Sequence, residues 1–240
     1  MHLSQASGDE RTYKDQARIP LTQYDRRTNI DSTSCAVYRL VITMNELSKP
    51  TPTTGDALIV VDLQNDFLPG GGLAVPEGEK VVPIMNRYIT RFQKKGLPIF
   101  VTRDWHPADH CSFAPQGGPW PPHCVVNTPG AEFAPNLVIP KDAAIVSKAT
   151  RSDKEAYSDF EDTDLDKELR RRHITRVFVG GLATDYCVLY TIRDAIKNGY
   201  DVILLEDAIR AVNVQPDDGD EAEKEMCELG ARPIQYEMIT

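Results

Sequence analysis

The predicted strands and helices of this chain are arranged around one segment, Val179-Gly180-Gly181-Leu182-Ala183-Thr184-Asp185-Tyr186-Cys187-Val188. It continues an apolar run, residues 176–179, that is typical of a buried strand. The two glycines that follow allow the backbone to turn tightly. Thr184 or Asp185 is placed to cap a new helix, whose apolar residues continue to the stop signal Asn198-Gly199. The stretch therefore predicts a strand, a tight turn and a helix.

Cys187 falls in the first turn of this predicted helix. Free backbone amides and the positive end of the helix dipole favour a thiolate there, so we expect the pKa of the cysteine to be lowered. The same amides are suited to hold an oxyanion. Most free cysteines of intracellular proteins are small buried hydrophobic residues, so the position alone does not identify a nucleophile.

The composition excludes several classes of protein. With 240 residues and 26.8 kDa, the chain is long enough for one sizeable core. Its net charge of -9 argues against nucleic acid and anionic membrane surfaces as partners. There is no apolar run of membrane-spanning length and no signal-peptide pattern. Five scattered cysteines, outside any CxxC pattern, fit a reducing compartment, and we predict a cytoplasmic protein.

The chain divides near residue 53. Residues 1–52 are polar, without a sustained period, and we predict a mostly disordered N-terminal extension in which only residues 36–42 are apolar enough for a short strand or helical turn. Residues 53–240 are predicted to form the folded domain.

Strands and helices alternate along this domain. Such alternation predicts a three-layer α/β/α fold with a mostly parallel six-stranded sheet, which is Rossmann-like in type. The predicted strands cover residues 57–62, 97–102, 143–147, 175–179, 201–205 and 232–236; the predicted helices cover residues 79–95, 164–172, the segment after Cys187 up to Asn198, and 220–229.

Three reactive side chains follow predicted strands. Asp62, Lys148 and Cys187 all lie at the carboxyl ends of strands, where sites form in parallel sheets. A carboxylate at the end of a buried strand needs a partner, and Lys148 is the natural one. A paired Asp62 is able to take the proton of a thiol and pass it to a leaving amine. A purely structural ion pair is the alternative.

A second group has the composition of a metal site. Asp104 and His106 are two positions apart at a strand end and so share a face. His123 supplies a third ligand from the following loop, and His110 is a further candidate. This set suits zinc, iron or manganese. Cys111 and Cys124 fit no standard zinc-finger spacing.

Aromatic residues form a third group. Phe67, Trp120 and Tyr157 lie in loops near the predicted strand ends. They are suited to wall a site for a flat ring, although aromatic residues more often belong to the core.

Four segments in combination resemble the signature blocks of nicotinamidases, which belong to the isochorismatase-like cysteine hydrolases. The resemblance covers the chain from about residue 57 to its C-terminus, in the order and spacing of the family. The segments are Asp62-Leu63-Gln64-Asn65-Asp66-Phe67, Arg103-Asp104-Trp105-His106, Trp120-Pro121-Pro122-His123-Cys124-Val125 and Gly181-Leu182-Ala183-Thr184-Asp185-Tyr186-Cys187-Val188.

The resemblance implies roles for individual residues. It makes Asp62, Lys148 and Cys187 a catalytic triad. A cis peptide between Leu182 and Ala183 is implied, which aims the amides of Ala183 and Cys187 into an oxyanion hole. The implied metal ligands are Asp104, His106 and His123, with His110 a ligand in some members only; the implied ring contacts are Phe67, Trp120, Tyr157 and Tyr186. Tyr186 stands where some members carry histidine.

The function implied by the resemblance is a metal-dependent hydrolysis of nicotinamide to nicotinate and ammonia through a thioester, in NAD salvage and pyridine nucleotide biosynthesis. One divalent metal ion is expected, zinc first, as a template for the ring rather than a source of hydroxide. Pyrazinamide is a further candidate substrate, and a homo-oligomer is left open. The alternatives are an amidohydrolase of the same fold acting on carbamoyl or ureido substrates and a catalytically silent binding module.

Overall fold

The computed structural model describes residues 50–239, which contain one six-stranded sheet. Its spatial order is β3-β2-β1-β4-β5-β6, and every neighbouring pair is parallel. The strands are β1 (Asp56–Val61), β2 (Ile99–Asp104), β3 (Ala144–Lys148), β4 (Arg176–Leu182), β5 (Asp201–Arg210) and β6 (Arg232–Ile234).

Four α-helices connect the strands of the described part. They are α1 (Val81–Lys94), α2 (Leu165–Arg171), α3 (Leu189–Lys197) and α4 (Asp218–Leu229). Alternate residues of each buried strand point to opposite faces of the sheet. Leu58 and Val60 pack with α1 on one face, while Ile59 and Val61 pack with α2, α3 and α4 on the other. The predicted three-layer α/β/α fold is confirmed, and the sheet is wholly parallel.

The strand order reverses between β1 and β4. Val61 at the end of β1 pairs with Gly181 of β4, so the residues that follow both strands emerge side by side. A Cβ atom on Gly181 would lie 2.0 Å from the carbonyl oxygen of Val61, and its φ of 135° also favours glycine. This close approach puts Asp62 next to the turn that carries Cys187.

Most predicted boundaries lie within two residues of the observed ones. The exceptions are β5, which runs on to Arg210, five residues past its predicted end, and β4, which runs on to Leu182, three residues past its predicted end. The predicted disordered extension lies outside the described residues except for residues 50–52, so the domain boundary stays a prediction.

Two further findings concern the described cysteines and the length of the helices. Cys111, Cys124 and Cys187 are free thiols. Among residues 50–239, no helix has the length and apolar character needed to cross a membrane.

Candidate active site

The candidate site lies at the carboxyl edge of the sheet, at the point where the strand order reverses. Asp62 follows β1, Asp104 ends β2, Lys148 ends β3, and Cys187 follows β4. Carboxylate oxygens of Asp62 and Asp104 and the Sγ atom of Cys187 all lie within 4.8 Å of one another. The structure thus brings together four residues that sequence reasoning placed at strand ends.

Lys148 connects these groups. Its buried ammonium donates hydrogen bonds to Oδ2 of Asp62 at 2.6 Å and to Oδ1 of Asp104, and its Nζ atom lies 3.4 Å from Sγ of Cys187. Burial alone would lower the pKa of Lys148, but the carboxylates of Asp104 and Asp62 together raise it well above its ordinary value. Lys148 therefore remains a cation.

Asp62 is completely buried and has a second partner. The hydroxyl of Thr102 donates to its Oδ1 at 2.8 Å, and the backbone N–H of Asp62 donates to that hydroxyl at 3.3 Å. Burial raises the pKa of Asp62, and the nearby charge of Lys148 only partly counters this effect. A carboxylate with a raised pKa is a better acceptor for a thiol proton than an ordinary exposed aspartate.

Cys187 lies in a single π-helical turn, Thr184–Val188, that leads into α3. Burial raises the pKa of its thiol well above the ordinary value, although the charge of Lys148 acts in the opposite direction. The expectation that this pKa is lowered is therefore wrong, because the desolvation of the buried thiol outweighs the charge of Lys148. A protonated thiol needs a base, and a carboxylate oxygen of Asp62 lies within 4.8 Å of it.

The predicted helix cap is also wrong in detail. No side chain of Thr184 or Asp185 caps the turn. Asp185 instead accepts hydrogen bonds from the backbone N–H groups of Val212 and Asn213, each at 2.9 Å. It therefore ties the Cys187 turn to the loop after β5. Val212 of that loop and Cys187 line one cavity, which is described below.

Asp104, His106 and His123 form a candidate metal site beside the thiol. One ligand atom of each lies within 4.8 Å of the other two. Both ring nitrogens of buried His106 have no hydrogen-bond partner among the described residues, which is costly unless an ion binds there. The Nδ1 atom of His123 lies 2.8 Å from the carbonyl oxygen of Pro121, which leaves Nε2 for a metal. Two imidazoles and a carboxylate fit a divalent ion.

The backbone of Asp104 is fixed by Gln64, a residue whose role the sequence did not reveal. The side-chain amide of Gln64 donates to the carbonyl of Asp104 and accepts from its N–H, both at 2.8 Å. These two bonds orient the carboxylate toward Lys148 and the histidines.

His110 is engaged elsewhere. Its ring lies against that of His106, with centroids 4.2 Å apart. However, its Nδ1 atom is 2.7 Å from the hydroxyl of Ser112 and its Nε2 atom is 3.0 Å from the carbonyl of Lys154. His110 is thus not part of the group that contains Asp104 and His123.

An aromatic cavity opens beside Cys187. Its walls include Phe67, Trp120, Tyr157 and Tyr186, and His123, Asp104, Ala183 and Cys187 also line it. The indole N–H of Trp120 donates to the hydroxyl of Tyr157 at 2.9 Å, and the ring of Tyr186 meets that of Trp120 edge-on. The peptide between Leu182 and Ala183 is cis. A flat aromatic ligand in this cavity would be in reach of both the thiol and the candidate metal ligands Asp104 and His123.

Asp66 is a further residue that sequence reasoning missed. Its carboxylate accepts hydrogen bonds from the N–H groups of Cys124 at 2.7 Å and Gly72 at 2.9 Å. It therefore joins the loop of Phe67 to the loop of His123. A Cβ atom on Gly130 would lie 2.1 Å from this carboxylate, so any other residue there would displace the carboxylate from its hydrogen bonds.

Residues 56–237 match the model of the isochorismatase domain, which is more than half of the chain. The chain belongs to the isochorismatase family. It is 43% identical to the nicotinamidase of Escherichia coli over 196 residues, which cover 73% of this chain and 92% of that protein.

Two solved structures of the family show the same architecture. The pyrazinamidase of Pyrococcus horikoshii, in a crystal structure with zinc, is 53% identical in sequence and superposes with a TM-score of 0.73. The match covers 76% of this chain and 99% of the pyrazinamidase chain. PnC1 from L. infantum, in complex with nicotinate, is 35% identical in sequence and superposes with a TM-score of 0.75. The match covers 81% of this chain and 99% of the PnC1 chain. These relatives bear out the resemblance drawn from the sequence and the prediction of an enzyme that hydrolyses amide bonds.

Proposed function

We propose that the protein hydrolyses nicotinamide to nicotinate and ammonia. The observation that carries this proposal is the position of the Cys187 thiol, next to the buried Asp62–Lys148 pair and at the wall of an aromatic cavity that also contains His123. A nicotinamidase relative at 43% identity and the nicotinate complex of PnC1 support the substrate class. By this proposal the enzyme acts in NAD salvage.

The first step forms a bond between Cys187 and the substrate. Asp62 takes the proton from the thiol as the sulfur attacks the carboxamide carbon, and the electron pair of the carbonyl moves to its oxygen. The backbone amides of Ala183 and Cys187 are proposed to hold this oxyanion. Lys148 remains charged throughout, and so it stabilises the ionised form of Asp62 before the proton is transferred.

The intermediate then collapses. Asp62 gives its proton to the amide nitrogen, the carbon–nitrogen bond breaks, and ammonia leaves. The acyl group remains on Cys187 as a thioester. Asp62, again ionised, takes a proton from a water molecule that attacks this thioester, and the proton returns to the sulfur as nicotinate is released.

Asp104, His106 and His123 are the residues proposed to hold a divalent metal ion. Such an ion, when bound, supplies a Lewis-acid contact that orients a pyridine nitrogen in the cavity. Their nitrogen and oxygen donors suit zinc, iron or manganese, and the zinc in the pyrazinamidase structure favours zinc. We leave His110 out of the proposed ligand set because both of its ring nitrogens have protein partners.

The test is ammonia release from nicotinamide by the metal-replete protein. We expect activity in the native chain, a loss of at least about 1,000-fold in Cys187→Ala, and loss after metal removal that returns when the metal is restored. Release of ammonia from a carbamoyl or ureido compound but not from nicotinamide would instead favour the rival amidohydrolase. Absence of any amidase activity in the metal-replete protein would favour the silent binding module.

A further inference from the structure

The groups that surround the ammonium of Lys148 are themselves a set of metal ligands. Carboxylate oxygens of Asp62 and Asp104 and the Sγ atom of Cys187 lie within 4.8 Å of one another, and all three side chains are buried. We call these three residues the thiol set. Carboxylates and a thiolate are ligands that zinc accepts. Buried carboxylates are costly without a cation, so a cation is needed at this place in the fold.

Lys148 supplies that cation. An ammonium has three N–H donors and no acceptor. The Nζ atom donates to Oδ2 of Asp62 at 2.6 Å, to Oδ1 of Asp104, and to Sγ of Cys187 at 3.4 Å. The number of donors therefore matches the number of acceptors, and the acceptors are the three members of the thiol set. The ammonium contacts the same groups that a metal ion at this place would bind.

The sheet holds the ammonium where it is. Lys148 is the last residue of β3 and pairs in register with Asp104 at the end of β2. Its carbonyl also accepts a hydrogen bond from the backbone N–H of Trp105 at 3.1 Å. Its side chain is completely buried. The position of this cation is thus fixed by regular backbone pairing and not by a surface loop.

Asp104 belongs to two ligand sets. Its Oδ1 atom accepts from Lys148, whereas its Oδ2 atom lies 3.7 Å from Nε2 of His106. Asp104, His106 and His123 form the candidate metal site described above, here called the histidine set. A carboxylate shared by two cations is the arrangement found in two-metal sites. In this chain one of the two cations is an ammonium that belongs to the protein.

We propose that Lys148 is a metal-excluding residue, which confines the divalent ion to the histidine set and keeps it off the thiol of Cys187. An ion in the thiol set would compete with the ammonium for the same lone pairs and would lie beside its positive charge. A thiolate bound to zinc shares its electron pair with the ion and is a poor nucleophile. The inference rests on the nucleophile and metal ligands of the proposed function, but not on the identity of the substrate.

The test replaces the ammonium with space. In Lys148→Ala we expect the zinc content after dialysis against zinc to rise from about one to about two ions per chain, as Cys187 binds the second ion and its thiol proton passes to solvent. Cobalt(II) in place of zinc should give a sulfur-to-cobalt charge-transfer band, which requires a cobalt–sulfur bond. This band should be absent from the native protein and from the double variant Lys148→Ala/Cys187→Ser.

Lys154→Ala is the matched control. Lys154 also pairs with two carboxylates, those of Glu161 at 3.1 Å and Asp162 at 2.9 Å, but at the surface. We expect this variant to keep the zinc content of the native protein and to show no charge-transfer band. An increase in zinc content in Lys154→Ala equal to that in Lys148→Ala would overturn the proposal, because the effect would then follow from the loss of any paired lysine.

The native protein provides a second measurement, which needs no variant to fold. Iodoacetamide alkylates free thiols, and mass spectrometry reports its rate at Cys187. Excess zinc should leave this rate unchanged in the native protein and should slow it in Lys148→Ala. Protection of Cys187 by zinc in the native protein would overturn the proposal, and so would a folded Lys148→Ala without the cobalt–sulfur band.

These readouts do not depend on turnover. A native protein that releases no ammonia from nicotinamide would refute the proposed function, yet the cobalt–sulfur band of Lys148→Ala would still support the exclusion of metal by Lys148. Conversely, an active native protein whose Cys187 is protected by zinc would refute the exclusion and leave the proposed function intact.

Discussion

The ammonium of Lys148 lies 2.6 Å from Oδ2 of Asp62, and both side chains are fully buried. The same ammonium also binds Asp104, a proposed metal ligand. One cation therefore balances the charge of the proposed base Asp62 and orients the proposed metal ligand Asp104. The proposed base and the proposed metal site are thus joined by a single side chain.

Replacing Lys148 with Met should destabilise the fold. The change leaves two buried carboxylates without their cation, which costs about 3–5 kcal/mol in the free energy of unfolding. Denaturant unfolding measures this loss. Lys154→Met is the matched control, because Lys154 pairs with Glu161 and Asp162 at the surface, and we expect a much smaller change there. Equal effects of the two substitutions would contradict the role given to Lys148.

The activity should depend on pH through Asp62. Because its pKa is raised by burial, kcat/KM should fall as the pH is lowered through a value above the ordinary range of aspartate. Below that pH the carboxyl carries a proton and is unable to accept one from the thiol. Asp62→Asn should lose about 1,000-fold or more of activity at the optimum. An acidic limb at or below the ordinary aspartate pKa would be inconsistent with a buried base.

Metal content distinguishes the proposed ligands from His110. His106→Ala and His123→Ala should each weaken metal binding by more than the roughly 100-fold seen when only an outer contact is lost. His110→Asn is the matched control, since its ring nitrogens are bound to Ser112 and Lys154. We expect it to retain the metal. Metal analysis after dialysis measures this, and metal loss in His110→Asn would place His110 among the ligands.

Asp66 and Gly130 should be coupled. Gly130→Ala places a methyl group against the carboxylate of Asp66, and we expect a cost of about 1–3 kcal/mol in the free energy of unfolding. The same substitution in an Asp66→Ala background should cost much less, because the obstructing carboxylate is gone. A double-mutant cycle of unfolding free energies measures the coupling. If the two substitutions had additive effects on the free energy of unfolding, contact with the Asp66 carboxylate would not be the reason for glycine at position 130.

The sequence predicted the placement of the site better than its electrostatics. Asp62, Lys148 and Cys187 could be placed together because parallel strands end at one edge of a sheet. The pKa of Cys187 was predicted with the wrong sign because a helix start acts only through local backbone dipoles. The burial of the thiol depends on residues distant in the chain that pack in the same cluster, and the local pattern does not show them.

Other residues escaped the sequence analysis for a similar reason. Asp159 lies in a polar loop segment, Ser158-Asp159-Phe160, where an exposed aspartate is the ordinary expectation. Only the tertiary structure shows that it is fully buried. Gln64 and Asp66 lie within the signature segment of residues 62–67, but their hydrogen bonds reach backbone groups far along the chain.

The most direct test of the proposed mechanism is mass spectrometry of the metal-replete protein, quenched within milliseconds of mixing with nicotinamide. We predict a nicotinoyl group on the peptide that contains Cys187, absent from the peptides of Cys111 and Cys124 and absent in Cys187→Ser. Full turnover of nicotinamide by Cys187→Ser, with no acylated cysteine in the native protein, would contradict the proposal that Cys187 is the nucleophile.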